Sequence, residues 1–139
     1  MGAQLRSPSR KIAPAILPTD ADDFEEQLRL IRREYACKLP GKVSALAACL
    51  AEREKNLRVL AEARELAHRL KGTAGTYGFN GVAELAARLE RSLSALVDDR
   101  AGGATLILKE IDELLAELRA LAELEFENEL ASDPTNRPR

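Results

Sequence analysis

Leu57-Arg58-Val59-Leu60-Ala61-Glu62-Ala63-Arg64-Glu65-Leu66-Ala67-His68-Arg69-Leu70-Lys71-Gly72-Thr73-Ala74-Gly75-Thr76-Tyr77-Gly78 is the stretch on which the fold turns. Wound at roughly 100° per residue, it gathers Val59, Ala63, Leu66, Leu70, Ala74 and Tyr77 into one arc, the face expected to meet a core. His68, the single histidine of the chain, falls on the opposite side. Arg64, Lys71, Gly72 and Gly75 lie within about 60° of it. The stretch predicts a helix that buries one face and aims its imidazole at solvent.

The three-and-four rhythm continues on both sides. Val82, Leu85, Ala86, Leu89, Leu93 and Leu96 predict a helix from Asn80 to about Val97. Ile107, Ile111, Leu114, Leu118 and Leu121 predict another from about Ala104 to Leu130, with Gly78 and Gly102-Gly103 as punctuation. Toward the N-terminus, Val43, Leu46, Ala47 and Leu50 mark a helix that starts near Pro40. The polar run Glu52-Arg53-Glu54-Lys55-Asn56 has no Gly or Pro to set a boundary, so the break before the next helix falls anywhere in it or is a kink only. Before it, Phe24, Leu28, Ile31 and Tyr35 form a further stripe, opened by the capping sequence Thr19-Asp20-Ala21-Asp22-Asp23 and closed by Pro40-Gly41. The expected class is all-α: an antiparallel four-helix bundle with an additional N-terminal helix packed across one end. The bundle is expected over residues 19–131. Residues 1–18, with Pro8, Pro14 and Pro18, read as a flexible tail or linker, and residues 132–139 as a flexible C-terminal tail.

Composition agrees with one helical domain and excludes several functions. The chain has 139 residues, and its apolar share of 45% is mostly Ala and Leu, with 4% aromatics and no Trp, so a sheet would have little to build with. Against 23 Asp+Glu stand 21 Lys+Arg, a formal charge of -2, which leaves no basic field for nucleic acid or an anionic membrane. No stretch reads as a signal peptide or a membrane span, and a cytoplasmic protein is expected. Cys37 and Cys49 are expected as reduced, buried small hydrophobes. Two Cys and one His without ligand spacing make no metal site.

One feature of the His68 helix is not explained by folding. An interior helical Gly costs about 1 kcal/mol relative to Ala, so Gly72 and Gly75 weaken a helix in a chain that elsewhere uses Ala freely. Both clear the surroundings of the ring, so a bulky group can approach it. A local rule broken on an exposed face marks a functional candidate. Gly78 and Gly81 read as structural, at a helix end and a close crossing.

His68-Arg69-Leu70-Lys71-Gly72-Thr73-Ala74-Gly75-Thr76-Tyr77-Gly78 resembles the signature of the histidine-containing phosphotransfer (HPt) domain: His, any residue, an apolar residue, Lys, Gly, then a small residue at Gly75 and a Gly at Gly78. Leu66-Ala67 before it and Ala86-Ala87-Arg88-Leu89-Glu90 after it are also similar to that family, and the likeness runs from about Thr19 to Ala131. The resemblance implies a helical bundle in which His68 accepts a phosphoryl group, on Nε2, from the aspartyl phosphate of a response-regulator receiver domain and passes it to another receiver Asp. It assigns Lys71 to phosphate stabilisation. Arg64 joins the site from the helical wheel alone, and Gly72 and Gly75 as the clearing for phosphate and receiver.

The chemistry suits these residue types. A neutral imidazole has a lone pair free to attack phosphorus, and its ordinary pKa near 6.5 leaves much of it neutral at cytosolic pH. Phosphoryl transfer is mostly positioning and charge stabilisation, which a cation one turn away can supply. The chain has no phosphate-binding Gly-rich loop of its own, so it reads as a carrier without a kinase site or cofactor. The Mg²⁺ is expected in the receiver. Receiver domains are the expected partners, with a hybrid sensor histidine kinase as a further one, and a monomer is expected. Two other readings stay open: a receiver-binding module that no longer carries phosphate, and a helical adaptor or oligomerisation unit built on the Leu-rich last helix.

Overall fold

The computed structural model describes residues 12–53, 57–98 and 103–131, with side chains from residue 22 onward. Four helices account for nearly all of them: α1 (Ile12–Ala51), α2 (Leu57–Thr76), α3 (Asn80–Asp98) and α4 (Ala104–Ala131). The expected tail residues 1–11 and 132–139, and Gly102, lie outside the described residues.

The largest departure from expectation is α1, a single helix of 40 residues in which Pro40 is interior. The predicted break at Pro40-Gly41 does not occur, so the additional N-terminal helix is not a separate element but the first part of α1. Proline removes one backbone donor and disfavours helix at the residue before it. Against that stands a single buried stripe that runs through the position: Tyr35, Ala36 and Leu39 before it, Val43, Leu46 and Leu50 after it. Burial of a large apolar side chain is worth about 1.5–3 kcal/mol, and several on each side outweigh one lost hydrogen bond. The helix also starts at Ile12, earlier than the predicted cap at Thr19, and takes in residues 12–18 that read as tail.

The chain divides into two units, Met1–Glu34 and Tyr35–Arg139. In the first, the stripe residues Phe24, Leu28 and Ile31 are exposed. The second holds the core, and its helices pair in a constant register. Tyr35 meets Thr73 and Cys49 meets Val59, each pair placed symmetrically about the α1–α2 connection. Gly81 faces Leu121 across the α3–α4 connection. The Arg53–Asp112 ion pair (3.3 Å) links the end of α1 to α4. These pairings run antiparallel throughout, as short connections between successive helices require.

Leu89, Leu93, Ile111, Leu114 and Leu118 fill the interior from α3 and α4, with Phe79 buried at the α2–α3 turn. On α2 the buried face is Leu60, Ala63, Ala67, Leu70 and Ala74. Val59, Leu66 and Tyr77, predicted on the core-facing arc, are only half-buried. The helix is therefore rotated toward α3, since Ala63, Ala67 and Ala74 let that helix approach closely while the larger side chains flank the seam. Cys49 is half-buried, and Cys37 is exposed rather than buried.

Candidate functional site

The site is built on the α2–α3 hairpin. Gly78, at φ 85°, ends α2 in the left-handed conformation that glycine adopts without strain. Its N–H bonds to Gly75 O (3.1 Å), and the Phe79 N–H bonds to Ala74 O (2.8 Å), a paired closure of the helix end. The chain turns about Phe79, so residues equally far before and after it face each other. Gly75 and Ala83, each four residues away, are one such pair. His68 and Glu90, each eleven residues away, are another.

His68 projects outward, with 56% of its side chain exposed. Its Nδ1 lies 2.9 Å from Glu90 Oε2. Lys71 Nζ lies 2.9 Å from the other oxygen, Glu90 Oε1. One carboxylate of α3 thus holds both predicted residues of α2, and at 22% exposure it is the most enclosed of the three. Burial raises the Glu90 pKa, but the hydrogen bonds from Lys71 and His68 and their charges outweigh it, and the net shift is below the ordinary carboxylate value. Glu90 is therefore an ionised acceptor at neutral pH. A carboxylate cannot donate, so Nδ1 carries the ring proton in the neutral imidazole and Nε2 keeps the free lone pair.

The remaining predicted residues differ from one another. A Cβ on Gly72 would meet nothing within 4 Å, so the space beside His68 is open. A Cβ on Gly75 would lie 3.8 Å from Ala83 Cβ, ordinary contact, so this glycine borders the α3 seam as well as the clearing. Arg64 is half-buried one turn before His68, and no described contact joins it to the His68–Glu90–Lys71 group. Gly81, where a Cβ would come within 3.0 Å of Leu121 Cδ2, marks a tight crossing with α4.

Glu90 was not singled out from the sequence as a site residue. Its signal lay in the hairpin: with Gly78 as the helix end and a short turn, the antiparallel register sets Glu90 opposite His68.

On the other flank of α2, Thr73 is tied to α1. Its hydroxyl donates to Arg69 O (3.0 Å), leaving Tyr35 OH to donate to Thr73 Oγ1 (2.6 Å). Burial pushes the Tyr35 phenol above its ordinary pKa, against the lowering effect of the Thr73 bond. Beside this link Lys42, Ala45, Leu66, Arg69, Leu70 and Thr73 line a shallow groove of ≈ 200 Å³ between α1 and α2. Among the described residues no group of three or more His, Cys, Asp or Glu is placed to hold a metal ion, and no helix is long and apolar enough to cross a membrane.

No curated protein and no solved structure matches the chain. The family model of the Hpt domain matches residues 17–124, which takes in nearly all of α1, the whole of α2 and α3 and most of α4, with His68, Lys71 and Glu90 among them. A helical hairpin that presents a lone exposed imidazole, in a chain matched over most of its length by that model, identifies a member of the Hpt domain family, the phosphotransfer modules of two-component phosphorelays.

Proposed function

We propose that His68 is the phosphoacceptor and that Nε2 is the reacting atom. The observation that carries this is the Nδ1–Glu90 contact at 2.9 Å, which holds the ring proton on Nδ1 and leaves Nε2 nucleophilic toward solvent. Nε2 attacks the phosphorus of a receiver aspartyl phosphate: an N–P bond forms, the P–O bond to the aspartyl carboxylate breaks, and the carboxylate leaves with the electron pair. The ring becomes positively charged as the N–P bond forms, and Glu90 faces that charge through the Nδ1 proton. Lys71, half-exposed on a flexible stem, exchanges its Glu90 contact for the phosphoryl oxygens. Attack by the next receiver's Asp reverses each step, and the ring leaves with its electron pair.

Open space at Gly72 admits the phosphoryl group and the receiver, Gly75 keeps the adjoining surface low, and Arg64 supplies a further cation to the receiver's approach. The receiver docks over the exposed face of α2 and the adjoining bundle part of α1, where the groove at Lys42, Ala45 and Arg69 takes a side chain of the partner. The receiver contributes the Mg²⁺, and this chain contributes the nucleophile, its orientation and a mobile cation. As a carrier it draws its phosphate from a receiver, including that of a hybrid sensor histidine kinase, and works in the cytoplasm.

The test is phosphoryl transfer from a labelled, phosphorylated receiver. Wild-type chain takes up label that is acid-labile and alkali-stable, and His68→Gln takes up none while its helical circular dichroism is unchanged. Label retained by the folded variant overturns the assignment.

A further inference from the structure

We propose, building on the assignment of His68 as phosphoacceptor and of the α1–α2 face as the receiver's seat, that Tyr35 is a positioning residue for phosphotransfer. Its hydrogen bond to Thr73 fixes α1 against the His68 helix, so that a receiver resting on α1 meets Nε2 in register. The groove on that face has walls from two helices, Lys42 and Ala45 on α1 and Leu66, Arg69, Leu70 and Thr73 on α2. The nucleophile belongs to the second wall. Whatever part of the receiver rests on α1 is therefore aligned with His68 only as closely as the two helices are aligned with each other. A misplacement on the order of 1 Å slows a positioned reaction severely.

A chain of hydroxyls sets that alignment. Thr73 donates to Arg69 O (3.0 Å), the carbonyl of the residue next to His68, and Tyr35, 38 residues away in sequence, donates to Thr73 Oγ1 (2.6 Å). Each donor polarises the next. The first donor is itself held: Tyr35 is buried, with its ring centroid 4.9 Å from that of Tyr77 and 5.7 Å from that of Phe79, and Lys42 Nζ 5.7 Å over its face. Tyr77 and Phe79 belong to the turn that closes α2. One side chain of α1 thus grips α2 both at its end and, through Thr73, beside the nucleophile. Packing alone would be served by Phe, which fills the same space, so the hydroxyl answers to Thr73, an exposed residue of the groove wall. Burial raises the phenol pKa and keeps that hydroxyl a donor. Near the α1–α2 connection the helices are tied by the weaker Cys49 Sγ–Val59 O contact (3.4 Å), and Tyr35 acts at the end far from it.

Rapid-quench transfer from a phosphorylated receiver, over a range of receiver concentrations, tests this with the full chain. Tyr35→Phe keeps the ring and removes the hydroxyl, and Thr73→Val keeps the shape of an exposed side chain and removes the acceptor. Each should lower the rate constant at saturating receiver about five-fold and leave KM for the receiver within about two-fold of wild type. The double variant should lose no more than either single one, as the loss of one shared bond requires. Thr73→Ser, which keeps the hydroxyl, should restore the rate. Carbethoxylation of His68, the single histidine, by diethyl pyrocarbonate reads the nucleophilicity of the ring without a receiver, and should match wild type in every variant. A merely structural role would lower the melting temperature and spare the rate constant, and that result overturns the proposal. So does a change confined to KM, an additive double variant, or slowed carbethoxylation. Label retained by folded His68→Gln is a different outcome, which defeats the phosphoacceptor assignment and this proposal with it.

Discussion

Replacing Glu90 by Gln keeps the length and shape of the side chain and removes its charge. In the wild type both carboxylate oxygens are engaged, one by His68 Nδ1 and one by Lys71 Nζ, each at 2.9 Å. Gln offers one acceptor and two donors, so its amide can donate to Nδ1 as readily as it accepts, which moves the ring proton to Nε2 and blocks the nucleophile. A hydrogen bond to a charged group is worth about 1.5–3 kcal/mol when enclosed. With His68 more than half exposed, water competes, and about 1–1.5 kcal/mol is the appropriate share. At about 1.4 kcal/mol per factor of ten, the phosphoryl-transfer rate constant should fall about 10-fold. Rapid-quench transfer from a phosphorylated receiver measures the rate, and ¹⁵N shifts of the imidazole measure the tautomer. The expected pairing is a slower rate with a ring shifted from the Nδ1–H toward the Nε2–H form. Unchanged transfer with an unchanged tautomer refutes the role given to Glu90. A slower rate with the tautomer unchanged assigns the loss to the charge alone and refutes the proton-directing part.

Two glycines should respond in opposite ways. Gly72→Ala meets no neighbour and should stabilise α2 by about 1 kcal/mol in urea unfolding while slowing transfer from the receiver. Gly78→Ala, forced into φ 85°, should destabilise the fold by about 1–2 kcal/mol. A third expectation concerns pH. Because the Glu90 pKa is lower folded than unfolded, its contribution to stability is complete above the ordinary carboxylate range and is lost as pH falls through the lowered value. The stability difference between wild type and Glu90→Gln should therefore be flat near neutrality and shrink in acid. A difference that grows on acidification would contradict the shift.

What the sequence by itself determined is local. Periods of three and four, Ala and Leu in quantity, and glycines at helix ends decide which segments are helical and which residues of each are apolar. They suffice to place His68 outward, with Lys71 one turn on and open space at Gly72. A solitary histidine on the polar side of an amphipathic helix was legible because only one side of that helix can face a core.

Tertiary structure decided what depends on neighbours. Proline at position 40 reads locally as a helix boundary. The chain continues through it because Leu39 and Val43 on either side are both buried in the same core, a gain visible only once the partner helices are in place. The buried face of α2 centres on Ala63, Ala67 and Ala74 rather than on Leu66 and Val59, since close approach of α3 favours small residues at the seam over large ones. Glu90 has no special local pattern. It becomes the residue that orients the imidazole through the hairpin register that sets it opposite His68, and that register is a property of two helices held together, not of either sequence segment alone.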